Sequence, residues 1–315
     1  MKRLALALGL IALAVAAPAL AQQQMTDPEF RPTVARPAYA ADGPMVVIDG
    51  AHRNFHTVDG RYAPFAALSR ADGYRVRGGT TPFDAGGLDG VDVLVIANAG
   101  QPEGGGSAFT APEIEAVEAW VEGGGSLLLI ADHAPHGAAA EALAARFGVQ
   151  MGKGYAFAMT GEADLTTNLS YPPEAFGAHP IMAGRSAEER VAGVTAFTGQ
   201  TLEGPSGAET LLPMTVGARE APDLPTLQAL VDRLHSGAAP VDALGALSTP
   251  ALPAQALAFR HGDGRVVVLG EAGMLSAQLV RYPDGRPHQR FGMNTAPGNV
   301  QFGLNIMHWL SGLLP

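Results

Sequence analysis

Residues 91–136, VDVLVIANAGQPEGGGSAFTAPEIEAVEAWVEGGGSLLLIADHAPH, decide the fold of this chain. The apolar runs Val93–Ala97 and Ser126–Ile130 are short and rich in aliphatic side chains, which is typical of strands buried on both faces of a parallel sheet. Between them, Thr110 provides an N-cap, a proline follows in the first turn and Glu113 occupies the capping-box position. Strand, helix and strand in this order predict parallel strands joined by a right-handed crossover.

Further periodic segments surround this block. The predicted strands lie at residues 45–48, 74–77, 256–259 and 266–269, the last two forming a late hairpin. The predicted helices lie at residues 62–71, 138–147 and 299–310. Residues 151–255 are rich in Gly, Pro and Thr with few long periodic runs, so we expect extended strands and loops there. The pattern predicts a single α/β domain over residues 44–315, elaborated at residues 151–255.

The N-terminal residues have the features of a signal peptide. Lys2 and Arg3 precede an apolar run over residues 4–17, and small residues end at Ala21. We expect cleavage near Ala21 and export to the periplasm or the medium, because the run is short for a membrane span. An uncleaved anchor is the alternative interpretation. Residues 22–43 are rich in Gln, Pro and Ala and predict a linker or an arm lying on the domain.

Composition narrows the classes of function. The chain contains no cysteine, which excludes thiol catalysis, thiolate metal ligands and disulfides. The formal charge of −10 becomes −12 when Lys2 and Arg3 leave with the signal peptide. An acidic chain without clustered basic residues is a poor candidate for binding nucleic acid or anionic membranes. No long apolar segment follows Ala21, so we expect no membrane span in the mature protein.

Polar side chains follow several predicted strands where each strand ends. Loops after parallel strands meet at the carboxyl edge of an open sheet, where ligands bind. We therefore expect a small-molecule or carbohydrate ligand at this edge. The predicted ligand contacts are Asp49, Asn54, Asn98 and Gln101, and the predicted catalytic residues are Asp132, His133 and Glu271.

Four histidines of these loops predict a divalent metal ion such as Zn²⁺. They are His52, His56, His133 and His136. Imidazoles with neighbouring carboxylates suit zinc, and a zinc-bound water could attack an ester, amide or glycosidic centre. The alternative is that these residues belong to ordinary turns: Asp132 would cap a helix, and the imidazoles would bond backbone carbonyls or lie exposed. No His-Glu-x-x-His spacing is present.

Three segments in this order carry a family resemblance: the block 91–136, then His179-Pro-Ile181, then GRVVVLGE at 264–271 with GNVQFGLNIMHW at 298–309. Together they resemble an uncharacterised branch of the class I glutamine amidotransferase-like superfamily, near the trehalose-utilisation-like and gliding-motility-like domains, over residues 44–312. The resemblance implies a flavodoxin-like, mostly parallel sheet with helices on both faces. It does not imply glutaminase activity, because the elbow after Ile130 carries Asp132 and His133 where that chemistry needs a cysteine.

Two functions remain open at this point. The first is an exported, metal-assisted hydrolase acting on a small or carbohydrate substrate. The second is a non-catalytic module that uses the same edge to bind a carbohydrate or an envelope partner. The fold alone does not decide between them, since one fold can support either.

Overall fold

The computed structural model describes residues 23–40 and 42–315. The predicted signal peptide, residues 1–21, lies outside the described residues, as does Gln22 at the start of the predicted linker. Within the described ranges, no helix combines the length and the apolar character needed to cross a membrane.

The described residues form eighteen strands and seven helices. The strands are β1 (Gln23–Thr26), β2 (Met45–Asp49), β3 (Arg75–Gly79), β4 (Val93–Ala97), β5 (Ser126–Ile130), β6 (Gln150–Met151), β7 (Tyr155–Met159), β8 (Leu165–Thr166), β9 (Leu169–Tyr171), β10 (Val194–Ala196), β11 (Leu202–Glu203), β12 (Glu209–Pro213), β13 (Arg219–Ala221), β14 (Thr249–Pro250), β15 (Ala254–His261), β16 (Gly264–Leu269), β17 (Ala277–Arg281) and β18 (Gln289–Gly292). The helices are α1 (Ala63–Ala71), α2 (Ala111–Glu122), α3 (His136–Arg146), α4 (Pro180–Ala183), α5 (Leu224–His235), α6 (Pro240–Leu247) and α7 (Pro297–Leu310).

A nine-stranded sheet organises the molecule. Five neighbouring strands, in the order β3-β2-β4-β5-β16, are mutually parallel. β15 pairs antiparallel with β16, so the predicted hairpin is confirmed, and β11, β12 and β6 extend the sheet beyond it. The predicted α/β fold with a large, mostly parallel sheet is therefore confirmed.

The parallel strands bury side chains on both faces. On β5, Leu128 and Ile130 pack on the face that carries α1 and α7. Leu127 and Leu129 point to the opposite face and pack with α2 and α3. Successive side chains of a strand alternate between faces, so an uninterrupted apolar run indicates a strand covered on both sides.

Helix α2 begins as the sequence predicts. Thr110 Oγ1 accepts a hydrogen bond from the Glu113 backbone N–H at 3.4 Å, and Glu113 Oε2 accepts one from the Thr110 N–H at 2.9 Å. This reciprocal capping box satisfies two N–H groups that the helix itself leaves without partners.

The prediction for residues 151–255 was incomplete, because that segment also contains α5 and α6. Asp223 caps α5 by accepting a hydrogen bond from the Thr226 N–H at 2.7 Å. Leu227, Leu230 and Leu234 are buried in a separate apolar cluster with residues of β7 and α6. Their spacing is that of one helix face, so the signal for α5 was present in the sequence.

The described part of the predicted linker lies against the domain. β1 pairs antiparallel with β17. One residue after β1, Asp27 accepts hydrogen bonds from Arg290 at 2.8 Å and from Asn294 at 2.9 Å. The pairing makes β1 an additional edge strand of the small sheet formed by β17 and β18.

Candidate functional site

The loops that follow β2, β4, β5 and β16 form what we call the carboxyl-edge site: residues 49–56, 98–101, 131–136 and 271–274. The loops are tied together by hydrogen bonds centred on Asn98. Its side-chain Oδ1 accepts from the Asp132 N–H, and its carbonyl accepts from the Phe55 N–H, each at 2.9 Å. Asn98 is buried with a left-handed φ of 50°, and its side-chain oxygen and its carbonyl hold the loops of the edge together.

His52 is held between two carboxylates. Its Nδ1 lies 2.9 Å from Asp49 Oδ2, and its Nε2 lies 2.7 Å from Glu113 Oε1. Burial alone would lower the pKa of His52, but the hydrogen bonds and charges of Asp49 and Glu113 raise it above its usual value. A carboxylate only accepts hydrogen bonds, so both nitrogens donate and the ring is an imidazolium.

This arrangement bears on two of the predicted roles. His52 has no nitrogen lone pair left for a metal ion, because both nitrogens carry protons that are donated to carboxylates. Asp49 is fully buried as the partner of His52 and does not face a ligand. Phe83 and Phe109 pack against the imidazole, with ring centroids at 4.5 and 4.9 Å. The group is thus a buried ionic connection between the β2 loop and the first turn of α2.

Asn54 and Gln101 were the other predicted ligand contacts. Asn54 Oδ1 accepts a hydrogen bond from the His52 N–H at 3.1 Å, which stabilises the β2 loop. Its Nδ2 is buried and has no partner among the described residues. Gln101 is partly exposed in the loop after β4. The side-chain oxygen of Asn54 therefore stabilises the loop, and its amide nitrogen is an unsatisfied donor within the described residues.

His56 is buried in the same loop, with 2% of its surface exposed. Neither ring nitrogen has a hydrogen-bond partner among the described residues. Burial, together with the nearby charges of Arg61 and His136, lowers its pKa to about 3. His56 is therefore a neutral imidazole at physiological pH, with both nitrogens unsatisfied.

His133 and His136 are oriented by backbone carbonyls. His133 Nδ1 lies 2.8 Å from the Ala134 oxygen, and His136 Nδ1 lies 3.3 Å from the Ala99 oxygen. Since a carbonyl only accepts, each Nδ1 carries a proton, and the lone pair of either ring in its neutral form lies on Nε2. The two ring centroids are 6.4 Å apart, and Tyr155 stacks on His133 at 4.5 Å. Burial also lowers the pKa of His136, which favours its neutral form.

The two predicted catalytic carboxylates differ in what surrounds them. Asp132 Oδ1 accepts a hydrogen bond from the His133 N–H at 2.8 Å, at the turn into α3. Glu271 is 2% exposed, and its oxygens accept from the Gly273 and Met274 N–H groups at 2.5 and 2.7 Å. Burial and the charge of Asp132 raise the pKa of Glu271 well above its usual value. Glu271 therefore stabilises its own turn beneath the site.

The four predicted metal ligands do not converge on one point. Within the described ranges, the group of three donor residues whose ligand atoms lie within 4.8 Å of one another is Glu118, Glu122 and His261. That cluster lies near the end of α2 and the β15–β16 turn, at the opposite edge of the sheet. At the carboxyl edge, His133 and His136 are the two imidazoles with both a fixed ring and a free Nε2.

Three residues of the site escaped the sequence analysis. Glu113 was recognised only as a capping residue, although its second oxygen reaches His52. Phe55 is 54% exposed, and the Arg61 guanidinium carbon lies 3.7 Å from its ring centroid. The contact between Glu113 and His52 arises only when separate loops meet, whereas Phe55 and Arg61 lie in the same connection between β2 and α1.

Comparisons with known proteins show similarity of fold. No family model matches the sequence, and no curated protein matches it either. The solved N-terminal domain of mmIFT52 has a TM-score of 0.57 and 13% identity, covering 84% of this chain and 97% of that domain. At this identity the match shows a shared fold and no shared activity.

Two further structures have lower TM-scores. A protein described as ThuA-like from Bacteroides uniformis has a TM-score of 0.42 and 11% identity, covering 88% of this chain and 95% of that one. The exo-β-1,4-mannosidase Op5Man5 from an Opitutaceae bacterium has a TM-score of 0.39 and 16% identity, covering 87% of this chain and 36% of the mannosidase. The fold and the site thus define a mixed α/β protein with a histidine-bearing carboxyl edge.

Proposed function

We propose that this chain is an exported hydrolase whose carboxyl-edge site binds a divalent, zinc-like ion and acts on a small or carbohydrate substrate. The observation that carries the proposal is the pair His133 and His136, each held by a backbone carbonyl with Nε2 left free. Histidine ligands of zinc usually donate their other ring N–H to a carbonyl or carboxylate, which fixes the tautomer.

Asp132 is the third ligand in this proposal, which requires rotation of these side chains, because the ligand atoms of Asp132, His133 and His136 do not all lie within 4.8 Å of one another in the structure. Asp132 is adjacent to His133, and its negative charge partly offsets the effect of burial on the pKa of His136. A catalytic zinc site uses about three protein ligands and leaves one position for water, whose pKa the ion brings near neutrality. His56 and the unsatisfied amide of Asn54 would contact the substrate. His52, Asp49 and Glu271 would maintain the shape of the edge.

We also propose that the domain belongs to the class I glutamine amidotransferase-like superfamily, with a flavodoxin-like sheet. The order of the parallel strands supports this assignment: taken in chain order, they lie side by side as second, first, third, fourth and fifth. Flavodoxin-like folds have this order, and they bind ligands where the order reverses. A cysteine-dependent glutaminase is not part of the proposal, because the chain has no cysteine.

Metal content tests the proposal most directly. The protein is purified without a histidine tag, loaded with zinc and desalted, and its metal is measured by mass spectrometry. We expect about one ion per chain in the wild type and little in His133→Ala and His136→Ala. The exposed residue His288 provides the matched control, since His288→Ala should retain the ion. A wild type that binds no ion under any loading condition would refute the metal-assisted hydrolase.

A non-catalytic binding module is the second candidate, and one observation favours it. Phe55 exposes half of its ring at the edge, supported from below by the Arg61 guanidinium. Exposed aromatic rings provide stacking surfaces for apolar faces of ligands such as sugars. Glycan binding that is lost in Phe55→Ala, without metal and without hydrolysis of nitrophenyl esters or glycosides, would support this module.

A further inference from the structure

Arg61 lies beside the carboxyl-edge site and has no counter-charge among the residues that the structure describes. One of its guanidinium nitrogens, Nη1, is buried and has no hydrogen-bond partner among the described residues. Within the same ranges no carboxylate oxygen lies within 4.0 Å of it, and its neighbour Asp59 is exposed. The guanidinium group packs on the Phe55 ring, with its carbon 3.7 Å from the ring centroid.

Other partly buried arginines of this protein have acceptors. Arg185 donates to Glu189 at 2.6 Å, Arg219 to the Ser248 carbonyl at 2.6 Å and Arg265 to the Trp309 carbonyl at 2.5 Å. A guanidinium nitrogen that is buried without a partner is unfavourable, because it loses hydration and gains no compensating charge or hydrogen bond. A cation–π contact with Phe55 offsets only part of that loss. The missing acceptor at Arg61 therefore points to a group that comes from outside the chain.

His56 adds a second unsatisfied donor beside Arg61. The imidazole is buried, neither nitrogen has a partner in the described part of the chain, and the positive charge of Arg61 helps to lower its pKa. A neutral imidazole presents one N–H, and a guanidinium presents several in a planar fork that matches the oxygens of a carboxylate or phosphate. These donors together have the chemistry of an oxyanion site.

We propose that Arg61 and His56 form an oxyanion subsite, so that the ligand of the carboxyl edge carries a carboxylate or a phosphate group. The inference rests on the proposed function in that both place a ligand at this edge. It adds the class of ligand: an acidic small molecule, such as an acidic or phosphorylated sugar, rather than a neutral one. The guanidinium orients the anionic group while the reacting part of the ligand extends toward His133 and His136.

Calorimetric titration at constant ionic strength tests this subsite. The probes are sodium glucuronate, glucose 6-phosphate, inorganic phosphate and, as the neutral control, glucose. We expect the wild type to bind at least one anionic probe and to bind glucose at least about tenfold more weakly, because charge-assisted hydrogen bonds are the strong ones. Preference for glucuronate or for the two phosphates then identifies the anionic group.

Two variants assign the binding to Arg61. Arg61→Met keeps much of the length of the side chain and removes its charge. We expect this variant to bind the anionic probe at least about tenfold more weakly than the wild type. Arg286→Met is the matched control, because Arg286 is exposed and pairs with Asp284. Near-ultraviolet circular dichroism checks that both variants are folded. Glucose binding as tight as that of the anions, no binding of any anionic probe, or equal binding by Arg61→Met would overturn the subsite.

Metal content measured on the same samples separates this inference from the proposed function. Arg61→Met should keep the ion that His133→Ala loses. An anionic probe that binds the metal-free protein, and is lost in Arg61→Met, would support the subsite even where the hydrolase proposal fails. If binding of a probe is lost in His133→Ala and unchanged in Arg61→Met, the probe binds to the metal ion and not to Arg61. That result would overturn the subsite.

Discussion

The Nε2 atom of His52 lies 2.7 Å from Glu113 Oε1, across a separation of 61 residues. Glu113 uses its other oxygen for the capping box of α2, so one side chain both starts a helix and fixes the β2 loop. Asp49 holds the opposite side of the ring. The β2 loop, which also carries His56 and Phe55, is thereby attached to a neighbouring crossover helix.

Replacement of His52 should destabilise the fold strongly. His52→Ala leaves two buried carboxylates without their cation, and loss of one member of a buried ion pair typically costs about 3–5 kcal/mol. Urea denaturation measures the change in the free energy of unfolding. His235→Ala is the control, because its pair with Asp164 is largely exposed and should be worth less than about 1 kcal/mol. Equal losses in the two variants would contradict a stabilising role for His52.

The contribution of His52 should also depend on pH. Its pKa is raised in the folded state, so the folded protein holds this proton more tightly than the unfolded chain. The stabilisation is therefore fully present below the unfolded pKa of about 6.5 and is lost as the pH rises through the raised pKa. We expect the stability difference between wild type and His52→Ala to shrink in alkaline solution, as measured by urea denaturation from pH 5 to pH 10. A difference that grows with pH would show that the ring is neutral.

His56 should have the opposite pH dependence. Its pKa falls from 6.5 to about 3 on folding, so the unfolded chain binds the proton more readily between these values. Stability is therefore lost as the pH falls. Between pH 7 and pH 4.5, wild type should lose about 2–3 kcal/mol more than His56→Leu, at about 1.36 kcal/mol per pH unit. Parallel stability curves for the two proteins would mean that His56 finds a partner for its proton in the fold.

Replacement by alanine should change the stability of the protein differently at two glycines that lie in helices. A Cβ on Gly298, in the first turn of α7, would overlap the carbonyl oxygen of Gly193, whereas a Cβ on Gly245 in α6 has open space. Gly298→Ala should therefore destabilise by about 1–3 kcal/mol, as overpacking does. Gly245→Ala should be neutral or stabilise by up to about 1 kcal/mol, because alanine favours helix. Thermal denaturation of both variants measures the contrast, and a stable Gly298→Ala would mean that α7 does not approach Gly193 closely.

Much of the fold was predictable because its signals are local. The apolar runs of β4 and β5, the capping box at Thr110 and the β15–β16 hairpin each arise from residues adjacent in sequence. The helix α5 had an equally local signal, in its N-cap Asp223 and its apolar spacing, and was missed because the surrounding glycines and prolines suggested loops. The composition of residues 151–255 as a whole is typical of loops, whereas the periodicity within residues 224–235 is that of a helix.

The sequence by itself determined the parallel sheet and the edge at which the polar loops meet, because strand periodicity and crossover geometry are encoded over short stretches of chain. Only the tertiary structure decided what each side chain at that edge does. His52 contacts two carboxylates, and Glu271 accepts hydrogen bonds from its own turn. Arg61 contacts an aromatic ring and, within residues 23–40 and 42–315, no anion. Hydrogen bonding and charge act over a few ångströms in space, and residues 61 positions apart come that close only once the sheet has formed.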